Sequence, residues 1–214
     1  MGAVTPRIGI LGGAFDPPHA GHVALARAAI ERFGLERLLV RVVADPGHKE
    51  VGTPAVTRLE LARLAFADVP GAEVSLEPHG RTVDQLAALG LDDPLFVIGA
   101  DELTSFHTWK DPRRVLDLAR LGVGTRPGVA RDAVDAALLE LGRPDRVTVF
   151  AIPPHPVSST ELRDRAAAGE PPAPFVPEAV AREVARLGLY REGQQSWIAR
   201  ILRRIGLRLR TPRP

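Results

Sequence analysis

Apolar residues along the chain follow two alternating rhythms. Short runs rich in leucine and β-branched residues recur at Arg7 to Leu11, Arg37 to Val43, Ala72 to Leu76, Leu95 to Ile98, Leu121 to Thr125 and Arg146 to Ala151, each of strand length. Between them the apolar positions spread to helical spacing, over residues 19–33, 57–67, 82–89, 111–120 and 130–141. Asp111 followed by Pro112 marks one helix start, with an N-cap acceptor before a proline at the first helical position. Strands separated by helical crossovers predict an α/β fold built on a doubly wound parallel sheet.

After the sixth strand the rhythm changes to two helices, 159–168 and 177–187. Pro171, Pro172, Pro174 and Pro177 stiffen the connection between them, and Gly188 stands where a left-handed cap would end the second. No internal repeat is visible. The pattern predicts one domain over 1–194 with a helical C-terminal portion, followed by a tail over 195–214.

Composition changes the picture in three places. The 214 residues are 45% hydrophobic and 25% charged, enough for one well-filled α/β core. There is no cysteine, so disulfides and thiolate metal sites are excluded. No apolar run approaches the roughly 18 residues of a membrane span, and the N-terminus lacks the apolar stretch of a leader. Pro6 also stands where a myristoylation signal needs Ser or Thr. A cytoplasmic protein is expected.

The formal charge of +2 hides an asymmetry. Six of the 28 basic residues (Arg200, Arg203, Arg204, Arg208, Arg210 and Arg213) lie in the tail, which has no acid. The body is therefore slightly acidic, and the basic balance of the whole chain is no sign of a nucleic-acid partner. Within the tail, Trp197, Ile198, Ile201, Leu202 and Ile205 share one face of a helical wheel, opposite Arg200, Arg203 and Arg204. Such a helix suits packing on the body or on a second copy of the chain, or weak contact with an anionic membrane surface.

In a doubly wound sheet, ligands bind beyond the C-terminal ends of the strands, and the candidate chemistry gathers there. After the first strand comes Gly12-Gly13-Ala14-Phe15-Asp16-Pro17-Pro18-His19-Ala20-Gly21-His22. Paired glycines admit close backbone approach, and the following helix offers free N–H groups to an anion. His19 and His22, three apart, would share a helix face beside that site and could stabilise negative charge on a phosphoryl group. Zinc would need further ligands at suitable spacing, and the sequence supplies none. Neither a G-x-x-x-x-G-K-[ST] loop nor G-x-G-x-x-G is present.

A second block is Ser158-Ser159-Thr160-Glu161-Leu162-Arg163. Ser158 and Glu161 have the spacing of a capping box, and the hydroxyls with Arg163 one turn on form a second anion site.

The first string resembles the signature of the bacterial nicotinate mononucleotide adenylyltransferases, within the wider nucleotidyltransferase superfamily. H-x-G-H alone runs through the superfamily, whereas the longer string with its Gly-Gly and Pro-Pro is narrower. The second block is similar to the superfamily's I-S-S-T-x-I-R signature. Gly99-Ala100-Asp101, Thr108-Trp109, His48-Lys49, Thr82 with Asp84, and Leu187-Gly188-Leu189-Tyr190 resemble further family segments in family order. The resemblance covers about residues 7 to 191. Two departures stand out: Pro46-Gly47 replaces the family's Pro-Pro before His48, and Gly80-Arg81 replaces its Ser-Tyr before Thr82.

The resemblance implies a Rossmann-like nucleotidyltransferase fold and adenylyl transfer from ATP to nicotinate mononucleotide, with release of pyrophosphate, as a step of NAD biosynthesis. Nicotinamide mononucleotide or another phosphorylated acceptor is the alternative. It implies catalytic roles for His19 and His22, and ATP contacts from Gly12, Gly13, Phe15, Asp101, Ser158, Ser159, Thr160 and Arg163. On the mononucleotide side it places Asp16, His48, Lys49, Thr82, Thr108 and Trp109. Arg81, in the same register, is expected to face the pyridine pocket, where a guanidinium suits a carboxylate. Mg²⁺ is expected to travel with ATP and not to sit in a protein cage.

Overall fold

The computed structural model describes residues 7–47, 51–125, 131–155 and 157–191. His48, Lys49 and the tail 195–214 lie outside the described residues, so the readings made for them are not tested by it.

Six strands form one parallel sheet: β1 (Ile8–Gly13), β2 (Arg37–Val43), β3 (Ala72–Glu77), β4 (Leu95–Gly99), β5 (Arg120–Thr125) and β6 (Val147–Ala151). Their order is β3-β2-β1-β4-β5-β6, every neighbouring pair parallel. Each of the six predicted runs is a strand, with ends displaced by no more than two residues. β1 is the instructive case. Its pairing with β2 continues through Gly12↔Arg41 and Gly13↔Val42, so it carries the two glycines to the sheet's edge. Glycine's low strand propensity hid that extension.

The helices are α1 (Ala20–Phe33), α2 (Ala55–Phe66), α3 (Thr82–Leu89), α4 (Ala100–Thr104), α5 (Pro112–Leu118), α6 (Arg131–Leu141), α7 (Ser159–Ala167) and α8 (Glu178–Leu187). Asp111 caps α5 as its sequence predicts, accepting from the Arg114 N–H at 3.1 Å. α4 and the 3-10 turn Phe106–Thr108 have no counterpart in the apolar pattern. At five and three residues they are too short to express a 3.6-residue period. Hydroxyls hold them instead: Thr104 donates to the Asp101 carbonyl and Thr108 to the Ser105 carbonyl.

Alternation along the central strands divides the core between the two faces of the sheet. Leu11, Leu95 and Val97 pack on one side with Leu25, Ala26 and Ala29 of α1, and with α2 and α8. Ile10, Phe96 and Ile98 pack on the other with α3, α4 and α5. Two-sided burial is what parallel sheets require, and it explains their near-continuous apolar runs. Gly124 shows how tightly the layers meet: a Cβ there would lie 2.3 Å from the Leu25 side chain of α1.

The strand order reverses between β1 and β4. That switch point opens a crevice beyond the C-terminal ends of both strands.

Candidate active site

A cleft of about 950 Å³ occupies that crevice. Its volume lies at the upper end of the roughly 300–1,000 Å³ typical of small-molecule sites. Gly12, Gly13, Asp16, His19 and His22 line it from the β1–α1 side, and Ser158, Ser159, Thr160 and Arg163 from the start of α7. Arg81, Thr82, Asp101, Thr108 and Trp109 complete the opposite wall. Every described residue expected to touch substrate therefore lines one cavity.

The two histidines are closer than a shared helix face implies. His19 is the N-cap of α1 with extended backbone, and His22 is the third residue inside. Their rings lie 3.7 Å apart between centroids, tilted by 32°. The His19 N–H donates to Nδ1 of His22 at 3.1 Å. With Nδ1 accepting, the hydrogen of a neutral His22 ring belongs on Nε2, which becomes a donor. The helix macrodipole adds positive potential at the same point.

Phe15 has a supporting place. Its side chain is buried at positive φ, in edge contact with the His22 ring at 5.0 Å and with Phe66 at 5.6 Å. What it can offer a ligand is its backbone, while its ring fixes His22 from below. Asp16 is also buried, and its Oδ1 accepts from the Tyr190 hydroxyl at 2.7 Å.

The hydroxyls of the second block are largely engaged within the protein. Ser158 caps α7 by accepting from the Glu161 N–H. Ser159 donates to the Pro17 carbonyl at 2.9 Å, and Arg163 donates to the Asp16 carbonyl at 2.8 Å and to Thr160 Oγ. These bonds close the chain over more than 140 positions, seating the N-terminus of α7 against the β1–α1 loop. Two helix N-termini, α1 and α7, thus border one cleft. Such an arrangement can hold a polyphosphate between two positive helix ends.

On the far wall, Arg81 is the N-cap of α3 and lends it no capping hydrogen bond from its side chain. Asp84 grips Lys110 at 2.8 and 3.0 Å, tying α3 to the segment that carries Trp109. Trp109 is half-buried, packed on Phe106 and Phe96 along the cavity wall. It is both core support and part of the cleft wall.

Five participants escaped the sequence reading. Arg58 of α2 is 1% exposed and donates to the carbonyls of Thr53, Ala14, Val43 and Ala44. It binds the β1–α1 loop to the end of β2, and burial pulls its pKa down despite the nearby carboxylates of Asp16 and Asp45. Glu77 ends β3 with 1% of its side chain exposed. It accepts from the backbone and ring of His79 and from Arg41, so that His79, on the cleft wall, has a fixed orientation. Burial pushes the Glu77 carboxyl up, but the bonds from His79 and Arg41 outweigh it and hold its pKa below the ordinary value. His155 and Gln85 also line the cleft. Arg58 and Gln85 sit within helical patterns where a polar residue reads as surface, and only the three-dimensional structure shows them to be buried.

The fold and this site define a nucleotidyltransferase of the α/β kind. The sequence profile of the cytidylyltransferase-like family matches residues 10–165. The probable nicotinate-nucleotide adenylyltransferase of Bordetella avium (strain 197N) is 38% identical over 195 residues, covering 86% of this chain and 98% of that protein. Its counterpart in Symbiobacterium thermophilum is 37% identical over 201 residues, covering 88% of this chain and 97% of that protein. The chain belongs to the nicotinate-nucleotide adenylyltransferase family. Its fold also matches the nicotinic acid mononucleotide adenylyltransferase of Plasmodium falciparum, solved in complex with NaAD. The TM-score is 0.74 at 15% identity, covering 87% of this chain and 98% of that one.

Among the described residues no helix is long and apolar enough to cross a membrane, and no group of three or more His, Cys, Asp or Glu side chains is placed to hold a metal ion.

Proposed function

We propose that this chain transfers the adenylyl group of ATP to nicotinate mononucleotide, forming nicotinate adenine dinucleotide and pyrophosphate. The observation that carries the reading is the stacked His19–His22 pair at the start of α1, facing the start of α7 across one cleft. An oxygen of the acceptor phosphate attacks the α-phosphorus of ATP. The new P–O bond forms as the bond to the bridging oxygen breaks, and that electron pair leaves with pyrophosphate. The nucleophile is already anionic, so the protein need supply only alignment and charge stabilisation.

His22, through Nε2–H, and His19 meet the transferring phosphoryl oxygens. The N–H groups of α7 and Arg163 hold the leaving pyrophosphate, and ATP enters as its magnesium complex. Gly12 and Gly13 let the triphosphate approach the backbone, and Asp101 stands beside the nucleotide. Thr82, Thr108 and Trp109 hold the mononucleotide, with the indole against the pyridine ring. Arg81 at the N-terminus of α3 favours an acid on that ring over its amide.

The deciding assay measures pyrophosphate release from ATP with nicotinate mononucleotide, nicotinamide mononucleotide and phosphopantetheine as separate acceptors. Turnover that is highest with the nicotinate compound supports the reading. Turnover only with phosphopantetheine overturns it.

A further inference from the structure

α3 presents its cleft-facing side through three residues. Thr82 and Gln85 are three apart and lie one above the other along the helix, with Arg81 at its N-cap. All three line the cavity. Val83 and Leu86 occupy the adjoining stripe and enter the core. By pattern, position 85 is thus a place where leucine would serve.

Gln85 is instead a primary amide that is 2% exposed. Its oxygen lies beside Gly12, 3.9 Å from where a Cβ on that glycine would stand. Its nitrogen is buried and has no hydrogen-bond partner in the protein. Buried amide donors are nearly always paired, and because the Gln85 side chain lines the cavity, a turn about its terminal bond brings this unpaired N–H to a ligand's acceptor.

We infer that Gln85 is a specificity-determining residue, donating its amide N–H to the oxygen of the carboxyl group on the acceptor's pyridine ring. This rests on the reading of the acceptor given above. Arg81 and the first turn of α3 supply charge at the rim, while Gln85 supplies a directed donor one turn deeper. A carboxylate receives both. The amide of the alternative acceptor can receive the Gln85 hydrogen but gains no charge pairing at Arg81.

The test is steady-state kinetics of the full chain with nicotinate mononucleotide, its amide and ATP, for wild type, Gln85→Leu and Gln85→Glu. One hydrogen bond to a charged group corresponds to roughly a ten- to hundredfold effect. Gln85→Leu is expected to raise KM for the nicotinate compound by at least about tenfold, with KM for ATP within about twofold. Gln85→Glu exchanges the donor for an anion that repels the acid and accepts from the amide. It is expected to shift the ratio of kcat/KM, acid over amide, by at least about tenfold toward the amide. Should Gln85→Leu not fold, the near-isosteric Gln85→Glu carries the test alone.

An unchanged acid-to-amide ratio in Gln85→Glu, or equal rises in KM for ATP and acceptor, overturns the inference. If wild type itself uses neither pyridine mononucleotide, the functional reading fails and the inference falls with it. If wild type uses the acid and the variants match it, only the inference fails.

Discussion

Tyr190, just beyond the last helix, donates its hydroxyl to Oδ1 of Asp16 in the β1–α1 loop at 2.7 Å, across 174 positions of chain. This single bond couples the C-terminal helical portion to the residue whose carbonyl also holds Arg163. Asp16 is buried and Tyr190 half-buried, so the bond is partly shielded from competing water.

Burial, with the Asp16 charge beside it, pushes the Tyr190 pKa well above its ordinary value near 10. A raised pKa in the fold means that this contribution to stability is complete below the unfolded value and is lost as pH rises beyond it. Wild type is therefore expected to lose thermal stability above about pH 10 with a component that Tyr190→Phe lacks. At pH 7.5 the variant is expected to be less stable by about 1.5–3 kcal/mol, the usual worth of a hydrogen bond to a charged group. Melting curves of both proteins between pH 7.5 and 10.5 check this, and parallel curves would count against it.

Glu77 supplies the opposite limb. Its carboxyl is held below the ordinary range in the fold. The stability it lends is present above the unfolded pKa near 4.3 and drains away as pH falls through the folded value. Glu77→Gln is expected to cost about 3 kcal/mol near neutrality, because Arg41 and His79 lose their buried anion. The same variant is expected to show a shallower decline between pH 5 and about pH 3. Chemical denaturation at several pH values decides between this and a uniform offset.

His22→Ala removes the proposed Nε2 donor and also the acceptor for the His19 N–H. Turnover is expected to fall by about 10²–10³, the typical cost of one charge-stabilising donor. The loss of the helix-terminal bond is expected to cost only about 1 kcal/mol of stability. Activity within threefold of wild type in a folded variant would remove the histidine from the mechanism.

Arg81→Ala tests the rim of the pyridine pocket. A charge-assisted bond is worth about 1.5–3 kcal/mol and a neutral one about 1. The variant is therefore expected to lose roughly three- to thirtyfold in preference for nicotinate over nicotinamide mononucleotide. Equal losses for both acceptors would leave the N-terminus of α3 as the carboxylate site.

All six strands and seven of the eight helices were legible from apolar spacing, because a two-sided parallel sheet writes continuous apolar runs and its crossovers write a 3.6-residue period. The two anion-binding segments were legible for a local reason. A helix N-terminus with glycines before it, or a cap serine within it, is specified by neighbouring residues. That His22 and Ser158 border the same cleft was not a local matter. It follows from the return of the chain after β6, which seats the start of α7 against the β1–α1 loop through the bonds of Ser159 and Arg163 to the Pro17 and Asp16 carbonyls. Nor could spacing show that Arg58 and Gln85 point inward. Whether a polar side chain on a helix meets water or four carbonyls depends on what packs against that helix, and only the assembled tertiary structure decides it.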